Sequence, residues 1–150
     1  MLKLIIGVKG TGKTKTLIDM VNKATAASEG SVVCIERGVK LRFDIKYRTR
    51  LINTNDYLVF DAQSLYGFIA GILASNHDVT DLYVDSALKI CNDDMAAFEK
   101  MLLELDELAE KYAEENADPI NAAKNGYIDN VIEPQFVRAY LISALQTLVR

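Results

Sequence analysis

Short apolar runs alternate with stretches of helical periodicity along most of the chain. Nearly uninterrupted apolar runs, typical of strands buried on both faces of a parallel sheet, occupy residues 2–6, 31–35, 57–60 and 81–85. Apolar positions recur at helical spacing over residues 14–27, 62–73 and 93–116. Strands that alternate with helices predict an α/β fold in three layers, with a parallel sheet flanked by helices.

Residues 40–50 alternate between apolar and charged positions, as in a half-exposed strand or hairpin arm. The apolar side chains are Leu41, Phe43, Ile45 and Tyr47. The basic row opposite them is Lys40, Arg42, Lys46, Arg48 and Arg50. Because rings and basic groups would lie on opposite faces, they would not contact one nucleic-acid strand together. We therefore interpret the basic row as a solvated face that pairs with Asp44 and nearby acids.

The two later helices differ in their polarity. The helix over residues 62–73 is apolar nearly all round, which indicates a buried helix, and Gly67 and Gly71 would permit close approach of a neighbour. The helix over residues 93–116 has one apolar and one acidic face. We expect its acidic face to be in solvent.

Residues 111–150 form the second of two predicted units. Asp118-Pro119 and Asn125-Gly126 are start and stop signals of a helix, and Glu133-Pro134 opens another after a short strand over residues 127–132. The chain thus divides into a core, residues 1–110, and a helix–strand–helix tail packed on it. The tail strand would complete a sheet edge, and an edge left open would favour pairing with a second copy of the chain.

A phosphate-binding loop follows the first apolar run. The string Gly7-Val8-Lys9-Gly10-Thr11-Gly12-Lys13-Thr14 fits the pattern G-x-x-x-x-G-K-[ST] between a strand and a helix. Small residues let backbone N–H groups turn toward phosphates, and the helix dipole adds positive charge there. The candidate nucleotide-binding residues are Gly7, Gly10, Thr11, Gly12, Lys13 and Thr14. The alternative is a glycine-rich turn with an exposed lysine.

The loop predicts a nucleoside triphosphate, ATP or GTP, together with Mg²⁺. Lys13 would neutralise the β- and γ-phosphates, which makes it the candidate catalytic residue, and the Thr14 hydroxyl would ligate Mg²⁺. A second metal ligand usually ends a neighbouring strand. Asp85 is the first candidate for it and Asp61 the second, although each could instead cap the helix that follows.

The residue next to Asp85 bears on hydrolysis. Fast NTPases often have a carboxylate or glutamine there to orient the attacking water, whereas this chain has Ser86. We therefore expect a Mg²⁺-dependent switch or weak NTPase. The alternatives are a phosphotransferase of kinase type, for which no acceptor pocket or lid arginines are identifiable, and an interaction module indifferent to nucleotide.

Composition limits the partners and the compartment. The formal charge of -4 argues against general binding to nucleic acid or anionic membranes, so any basic surface must be local. Cys34 and Cys91 have neither Cys-x-x-Cys spacing nor companion histidines, so we expect both to be buried and reduced. We expect His77 to be an exposed turn residue. With no signal-peptide or membrane-spanning run, a cytoplasmic protein is expected.

Two further strings accompany the phosphate loop in the core. They are Leu65-Tyr66-Gly67-Phe68-Ile69-Ala70-Gly71, and Val84-Asp85-Ser86 with Leu88-Lys89-Ile90-Cys91. Through these strings, residues 1 to about 105 resemble a group of small bacterial P-loop proteins that are ATP-binding or ATPase-like. The resemblance implies the P-loop nucleotide hydrolase fold, a P-loop NTPase-like parallel sheet, and it supports Asp85 as the Walker B position. It implies no defined reaction.

A different pattern marks the tail. It consists of Ala117-Asp118-Pro119, Ala122-Ala123, Gly126-Tyr127-Ile128-Asp129, Val131-Ile132, Pro134 and Arg138. Residues from about 111 to 149 thereby resemble the C-terminal end of biotin-dependent acyl-CoA carboxyltransferase subunits. The loops that polarise the acyl thioester lie in parts that this chain lacks, so the tail alone implies no such reaction. Through these two resemblances the chain reads as a junction of two families, which a natural fusion, an engineered chimera or a designed sequence would explain. A carboxyltransferase-derived fragment that acts as an interaction module is the corresponding alternative function.

Overall fold

A computed structural model describes residues 2–7 and 10–116, which contain three strands and four α-helices. The strands are β1 (Ser31–Glu36), β2 (Arg50–Asn53) and β3 (Val79–Val84). The helices are α1 (Lys13–Ala27), α2 (Ala62–Ser75), the short α3 (Ala87–Ile90) and α4 (Met95–Asn116). Of the predicted tail, residues 111–116 are the end of α4, and the rest with Arg138 lies outside the described residues, as do the loop positions Val8 and Lys9.

The strands form a parallel sheet in the order β2-β1-β3. In register, Ile35 of β1 lies between Ile52 of β2 and Val84 of β3. Helices cover both faces, so the predicted layered α/β arrangement is confirmed at this level. The crossover from β1 to β2, residues 37–49, contains no helix.

Two apolar clusters lie on opposite faces of the sheet. Alternate residues of β1 enter different clusters, as expected from the period of two along a strand. Val33 and Ile35 pack with α2 and α4, whereas Val32 and Cys34 pack with α1 and the crossover. All four side chains are buried, which agrees with the fully apolar pattern of this strand.

The segment before the phosphate loop is extended along the sheet but is not a strand of it. Residues 2–6 carry no strand assignment, contrary to the prediction. Their side chains nevertheless alternate, since Leu2, Leu4 and Ile6 contact the α2/α4 cluster and Ile5 contacts the α1 cluster. The apolar run therefore contacts both clusters, as predicted, but its side chains are only partly buried and it is not a strand of the sheet.

The half-exposed strand predicted over residues 40–50 is wrong, because this segment is a series of turns. Leu41 and Ile45 are buried, and the Ile45 N–H donates to the Leu41 carbonyl. Phe43 and Tyr47 are instead 85% and 100% exposed. Apolar residues four positions apart fit one face of a strand and one face of a turn equally well, and here the turn forms.

The strand predicted over residues 57–60 is also wrong. Pairing occurs earlier, at β2, and a 3₁₀ turn over Thr54–Tyr57 follows it. The Asn53 side chain caps this turn by accepting the Asn55 N–H at 3.0 Å. Leu58 then adopts a left-handed conformation with φ 57°, which no strand residue has.

The helices α2 and α4 confirm two predicted helices and pack against each other. Leu65 and Ile69 of α2 are buried, as are Phe98, Met101, Leu102 and Leu105 of α4. Gly67 and Gly71 are exposed, and a Cβ at either position would have no described atom within 4 Å. Within residues 2–7 and 10–116, α2 is thus buried on one side only, and the expected close approach at its glycines is absent.

No helix in the described ranges has the length and apolarity needed to span a bilayer.

One side chain joins α4 to the start of β3. The Tyr112 hydroxyl accepts the Val79 N–H at 2.9 Å and donates to the Asn76 carbonyl at 2.7 Å. We expect Tyr112→Phe to lower the free energy of unfolding by about 1–3 kcal/mol, because two main-chain groups lose their partner while the ring stays. Urea denaturation at constant m-value measures the loss.

Tyr57→Phe is the matched control, because Tyr57 is 53% exposed and its hydroxyl makes no hydrogen bond within the described ranges. Its stability should change by less than about 0.5 kcal/mol. Equal losses in the two variants would contradict a structural role of the Tyr112 hydroxyl.

Candidate functional site

The phosphate loop has the backbone conformation that its glycines make accessible. Gly10 and Gly12 have φ of 88° and 83°, a region that residues with a Cβ seldom enter. At Gly7, a Cβ would stand 2.8 Å from the Thr11 hydroxyl oxygen. The three glycines of the motif are therefore required by two positive φ angles and one close approach.

Lys13 closes the loop on itself. Its Nζ donates to the Gly7 carbonyl oxygen at 2.6 Å, although six residues separate the two positions. Lys13 is half-buried, whereas Thr11 and Thr14 have exposed side chains. The Lys13 ammonium group is thus held beside Gly7, the first residue of the motif, by one backbone oxygen.

The start of α1 keeps its positive end free of acidic side chains. The helix begins at Lys13, and its first turn contains no acidic residue and no side-chain cap. Thr16 donates both its N–H and its hydroxyl to the Gly12 carbonyl, at 2.9 Å each. Backbone N–H groups in the first turn of a helix lack intrahelical acceptors, so this end suits an anion.

Asp85 lies directly after β3, as the sequence predicted. Its N–H donates to the Ile35 carbonyl at 2.8 Å, which extends the pairing of β1 with β3 by one residue. Its carboxylate accepts the Ser86 hydroxyl at 3.2 Å, and Ser86 turns the chain into α3 with φ 56°. Asp85 is half-buried at the carboxyl edge of the sheet.

The second candidate metal ligand, Asp61, is a helix cap. Its carboxylate accepts the Ser64 N–H at 2.8 Å, and the Ser64 hydroxyl accepts the Asp61 N–H at 3.1 Å. This reciprocal pair is a capping box at the start of α2. Hydrogen bonding of the carboxylate with the Ser64 hydroxyl, and then with the Ser64 N–H, lowers the pKa of Asp61 below its ordinary value. Asp61 is therefore a helix cap, which was the predicted alternative to a metal ligand.

Glu36 is a second acidic group at the carboxyl edge, and the sequence analysis missed it. It follows Ile35, the register partner of Val84, so it lies beside Asp85 on the neighbouring strand. Its side chain is only 2% exposed and accepts the Lys40 and Leu41 N–H groups, at 2.9 and 3.2 Å. An acid directly after a buried apolar run, the pattern that singled out Asp85, could have identified it.

Burial governs the protonation of this edge. Burial raises the pKa of Glu36, and the nearby Asp85 raises it further. Hydrogen bonds from the Leu41 and Lys40 N–H groups lower the pKa in part. Burial also raises the pKa of the Cys34 thiol to about 12, with further contributions from Glu36 and Asp85. Cys34 and Cys91 are both free and buried, as predicted, and a thiol protonated at neutral pH is unreactive.

The first turn of α1 points toward the same edge of the sheet as Asp85. The opposite end of α1 lies at the amino edge, because Ser28 shares a hydrogen bond of 2.5 Å with Thr80, the second residue of β3. A helix of 15 residues spans about 22 Å, and α1 packs along β1 and β3. Its start therefore lies toward the carboxyl edge.

The described contacts do not join every predicted site residue. Lys13 contacts Gly7, and Asp85 contacts its strand neighbours, but no described hydrogen bond or ion pair links Asp85 to Lys13 or Thr14. No cluster of three or more His, Cys, Asp or Glu that could hold a metal occurs in residues 2–7 and 10–116. Mg²⁺ commonly takes one or two protein ligands besides phosphates and water, so one carboxylate and one hydroxyl fit it.

His77 lies in an exposed turn, as predicted, and its Nδ1 is 3.0 Å from the Asn116 side-chain oxygen. No described nucleophile accompanies it. Its contact joins the turn before β3 to the end of α4.

Comparisons of the chain with models of protein families, with curated proteins and with solved structures found no match.

The buried Glu36 gives stability a distinctive pH dependence. A carboxyl group with a raised folded-state pKa supports stability below its unfolded pKa, and this support is lost as pH rises through the folded pKa. Glu36→Gln cannot ionise. We therefore expect the stability of wild type relative to this variant to fall as pH rises above the ordinary value of 4.5, measured by urea unfolding up to about pH 8.

Asp61→Asn should give the opposite sign, because the pKa of Asp61 is lowered. Relative to that variant, wild type should lose stability as pH falls through the folded pKa of Asp61. A difference between wild type and Glu36→Gln that stays constant with pH would contradict the raised pKa of Glu36.

Proposed function

We propose that this chain binds a nucleoside triphosphate, ATP or GTP, together with Mg²⁺ through residues 7–14, and acts as a switch or weak NTPase. The observation that carries the proposal is the closure of the loop, with Lys13 held on the Gly7 carbonyl at 2.6 Å and Gly10 and Gly12 at positive φ. This conformation supports the P-loop interpretation of a motif that the sequence alone left open to a plain glycine-rich turn.

Each residue has a defined part in the proposal. The backbone N–H groups around Gly10 and Gly12 and at the start of α1 bind phosphate oxygens. Lys13 exchanges the Gly7 carbonyl for the β- and γ-phosphates, which a lysine ammonium neutralises as a point charge. The Thr14 hydroxyl and the Asp85 carboxylate hold Mg²⁺, whose charge offsets that of the phosphates.

The proposal favours slow over fast hydrolysis. Ser86 occupies the position beside Asp85 where fast NTPases often have a water-orienting carboxylate or glutamine. Glu36 supplies a carboxylate nearby, but it is buried and already accepts the Lys40 and Leu41 N–H groups. A carboxylate so occupied is not free to orient a water molecule.

We expect ATP with Mg²⁺ to raise the midpoint of thermal unfolding by several degrees in wild type and not in Lys13→Ala. Ligand at one hundred times its dissociation constant stabilises the folded state by about 2.7 kcal/mol. Each variant is compared with its own ligand-free midpoint, since Lys13→Ala also removes the bond to Gly7. GTP is measured in parallel.

Lys15→Ala is the matched control, because Lys15 is an exposed lysine on the same helix, two positions further on. It should retain the full ligand-induced rise. No rise in wild type with millimolar ATP or GTP would refute the proposed function, and an equal rise in Lys13→Ala would refute the role of the loop.

The Mg²⁺-dependent part of the rise should depend on Asp85. We expect Asp85→Asn to lose most of the difference between ATP with Mg²⁺ and ATP with a chelator, because an amide is a weaker ligand for this cation. Asp61→Asn is the control, since asparagine remains a good helix cap and should retain that difference. The reverse result would assign the metal to Asp61.

A further inference from the structure

The segment from residue 40 to 50, here called the basic loop, has a charge opposite to that of the whole chain. It carries five basic residues, Lys40, Arg42, Lys46, Arg48 and Arg50, and a single acid, Asp44, in a chain with net charge -4. No ion pair within the described ranges joins Asp44 to these side chains, and the two described pairs lie on α4. The expected neutralisation of the basic row is therefore not found in this part of the chain.

Two aromatic rings are exposed together with these basic groups. Phe43 is 85% and Tyr47 100% exposed, and the Arg42 guanidinium lies 4.8 Å from the centre of the Phe43 ring. The buried side chains of the basic loop are Leu41, Ile45 and Thr49. The predicted separation of rings from basic groups, which argued against nucleic acid, is thus wrong for Phe43 and Tyr47.

The basic loop is fixed to α1 by side-chain contacts. The Asn22 side chain donates to the Asp44 carbonyl and accepts the Lys46 N–H, both at 2.8 Å. The hydroxyls of Thr25 and Thr49 are 2.5 Å apart in a buried hydrogen bond. An exposed surface that is fixed in advance loses little conformational entropy when it binds a partner.

The side chains converge on one open cleft. A cavity of about 400 Å³ is lined by Arg42, Lys46, Tyr47, Arg48 and Arg50, among others. Four cationic side chains and an exposed ring therefore border one open, shallow depression. Proteins that bind single strands combine a positively charged groove for the backbone with rings on which bases stack.

We propose that the basic loop binds single-stranded nucleic acid. Phosphates would lie among Arg42, Lys46 and Arg50, and a base would stack on Tyr47. A duplex exposes its phosphates but keeps its base faces stacked inside. It would therefore contact the basic side chains but not stack on Tyr47, and should bind more weakly than a single strand. Because these contacts are to phosphates and base faces, DNA and RNA of the same sequence should bind comparably.

The cleft is separate from the phosphate loop, although the basic loop begins at the carboxyl edge, where Lys40 and Leu41 contact Glu36 and do not line the cleft. Thr49 and Arg50 lie at the amino edge of the sheet, where β2 begins and where the end of α1 contacts the crossover. The phosphate loop precedes the start of α1, at the opposite end of that helix. Binding of a single strand therefore does not depend on the proposed nucleotide site, and Lys13→Ala should leave it unchanged.

Fluorescence anisotropy with labelled single-stranded DNA and RNA of about 15 nucleotides tests the proposal. We expect Arg42→Ala/Lys46→Ala to weaken binding by about tenfold or more and to reduce the slope of log K against log salt by about 1.4, for two lost phosphate contacts. The control Lys100→Ala/Lys111→Ala removes the same charge from α4 and should bind like wild type. Each of these lysines forms only an exposed ion pair with a glutamate, at 3.9 Å, so its loss should cost little stability.

Tyr47 provides a second, independent pair of variants. Tyr47→Ala should weaken binding by about tenfold, the usual effect of losing one stacked base, while Tyr47→Phe should retain it. Because Tyr47 is 100% exposed, neither change should alter the thermal midpoint of the free protein.

Several results would overturn the proposal. They are single-strand binding that is absent at low salt, binding equally weakened by the α4 control, binding unaffected by Tyr47→Ala, and a duplex bound as tightly as a single strand. Sedimentation with phosphatidylserine vesicles tests the alternative that the basic loop binds an anionic membrane. Vesicle binding that needs the basic loop, without single-strand binding, would assign this surface to an anionic membrane instead.

Discussion

The described fold depends on β1, because both its edges and both its faces are in use. Its backbone pairs with β2 on one side and β3 on the other, so it is the one strand of this sheet with two neighbours among the described residues. Its side chains alternate between the cluster beneath α1 and the cluster beneath α2 and α4. The same strand ends in Glu36, beside Asp85, so it also positions the acidic edge to which the start of α1 points.

Elements whose pattern has a single structural solution were predictable. The run that forms β1 is apolar without interruption, which fits a buried strand. The long run that forms α4 has its apolar residues on one face of a helix and fits no strand. The basic loop was mispredicted because its shape is set from outside the segment. The Glu36 side chain accepts the Lys40 and Leu41 N–H groups, and the Asn22 side chain accepts the Lys46 N–H. Both partners lie outside the segment, so its own sequence pattern does not show these contacts.

The candidate site divides in the same way. The motif of residues 7–14 could be read from the sequence because its requirements are local, and the structure shows positive φ at Gly10 and Gly12 with the Lys13 ammonium on the Gly7 carbonyl, while phosphate binding there stays a prediction. Asp61 was ambiguous because its capping partner is Ser64 rather than the usual Glu or Gln, which leaves a weaker sequence signal. Glu36 escaped notice because its importance comes from register with β3, a partner far away in the sequence. Burial and register, rather than residue type, distinguish Glu36 from Asp61.

The bonds of Glu36 also bear on how the sheet is assembled. To pair β1 with β2, the chain must close residues 37–49 into a parallel crossover without the help of a helix, and the entropy cost of closure grows with the length of free chain. By binding the Lys40 and Leu41 N–H groups, Glu36 folds the first turn of that crossover back against its own strand. Less free chain then remains to be closed when β2 pairs with β1. The buried Glu36 side chain, although poorly suited to catalysis, thus favours the pairing of these two strands.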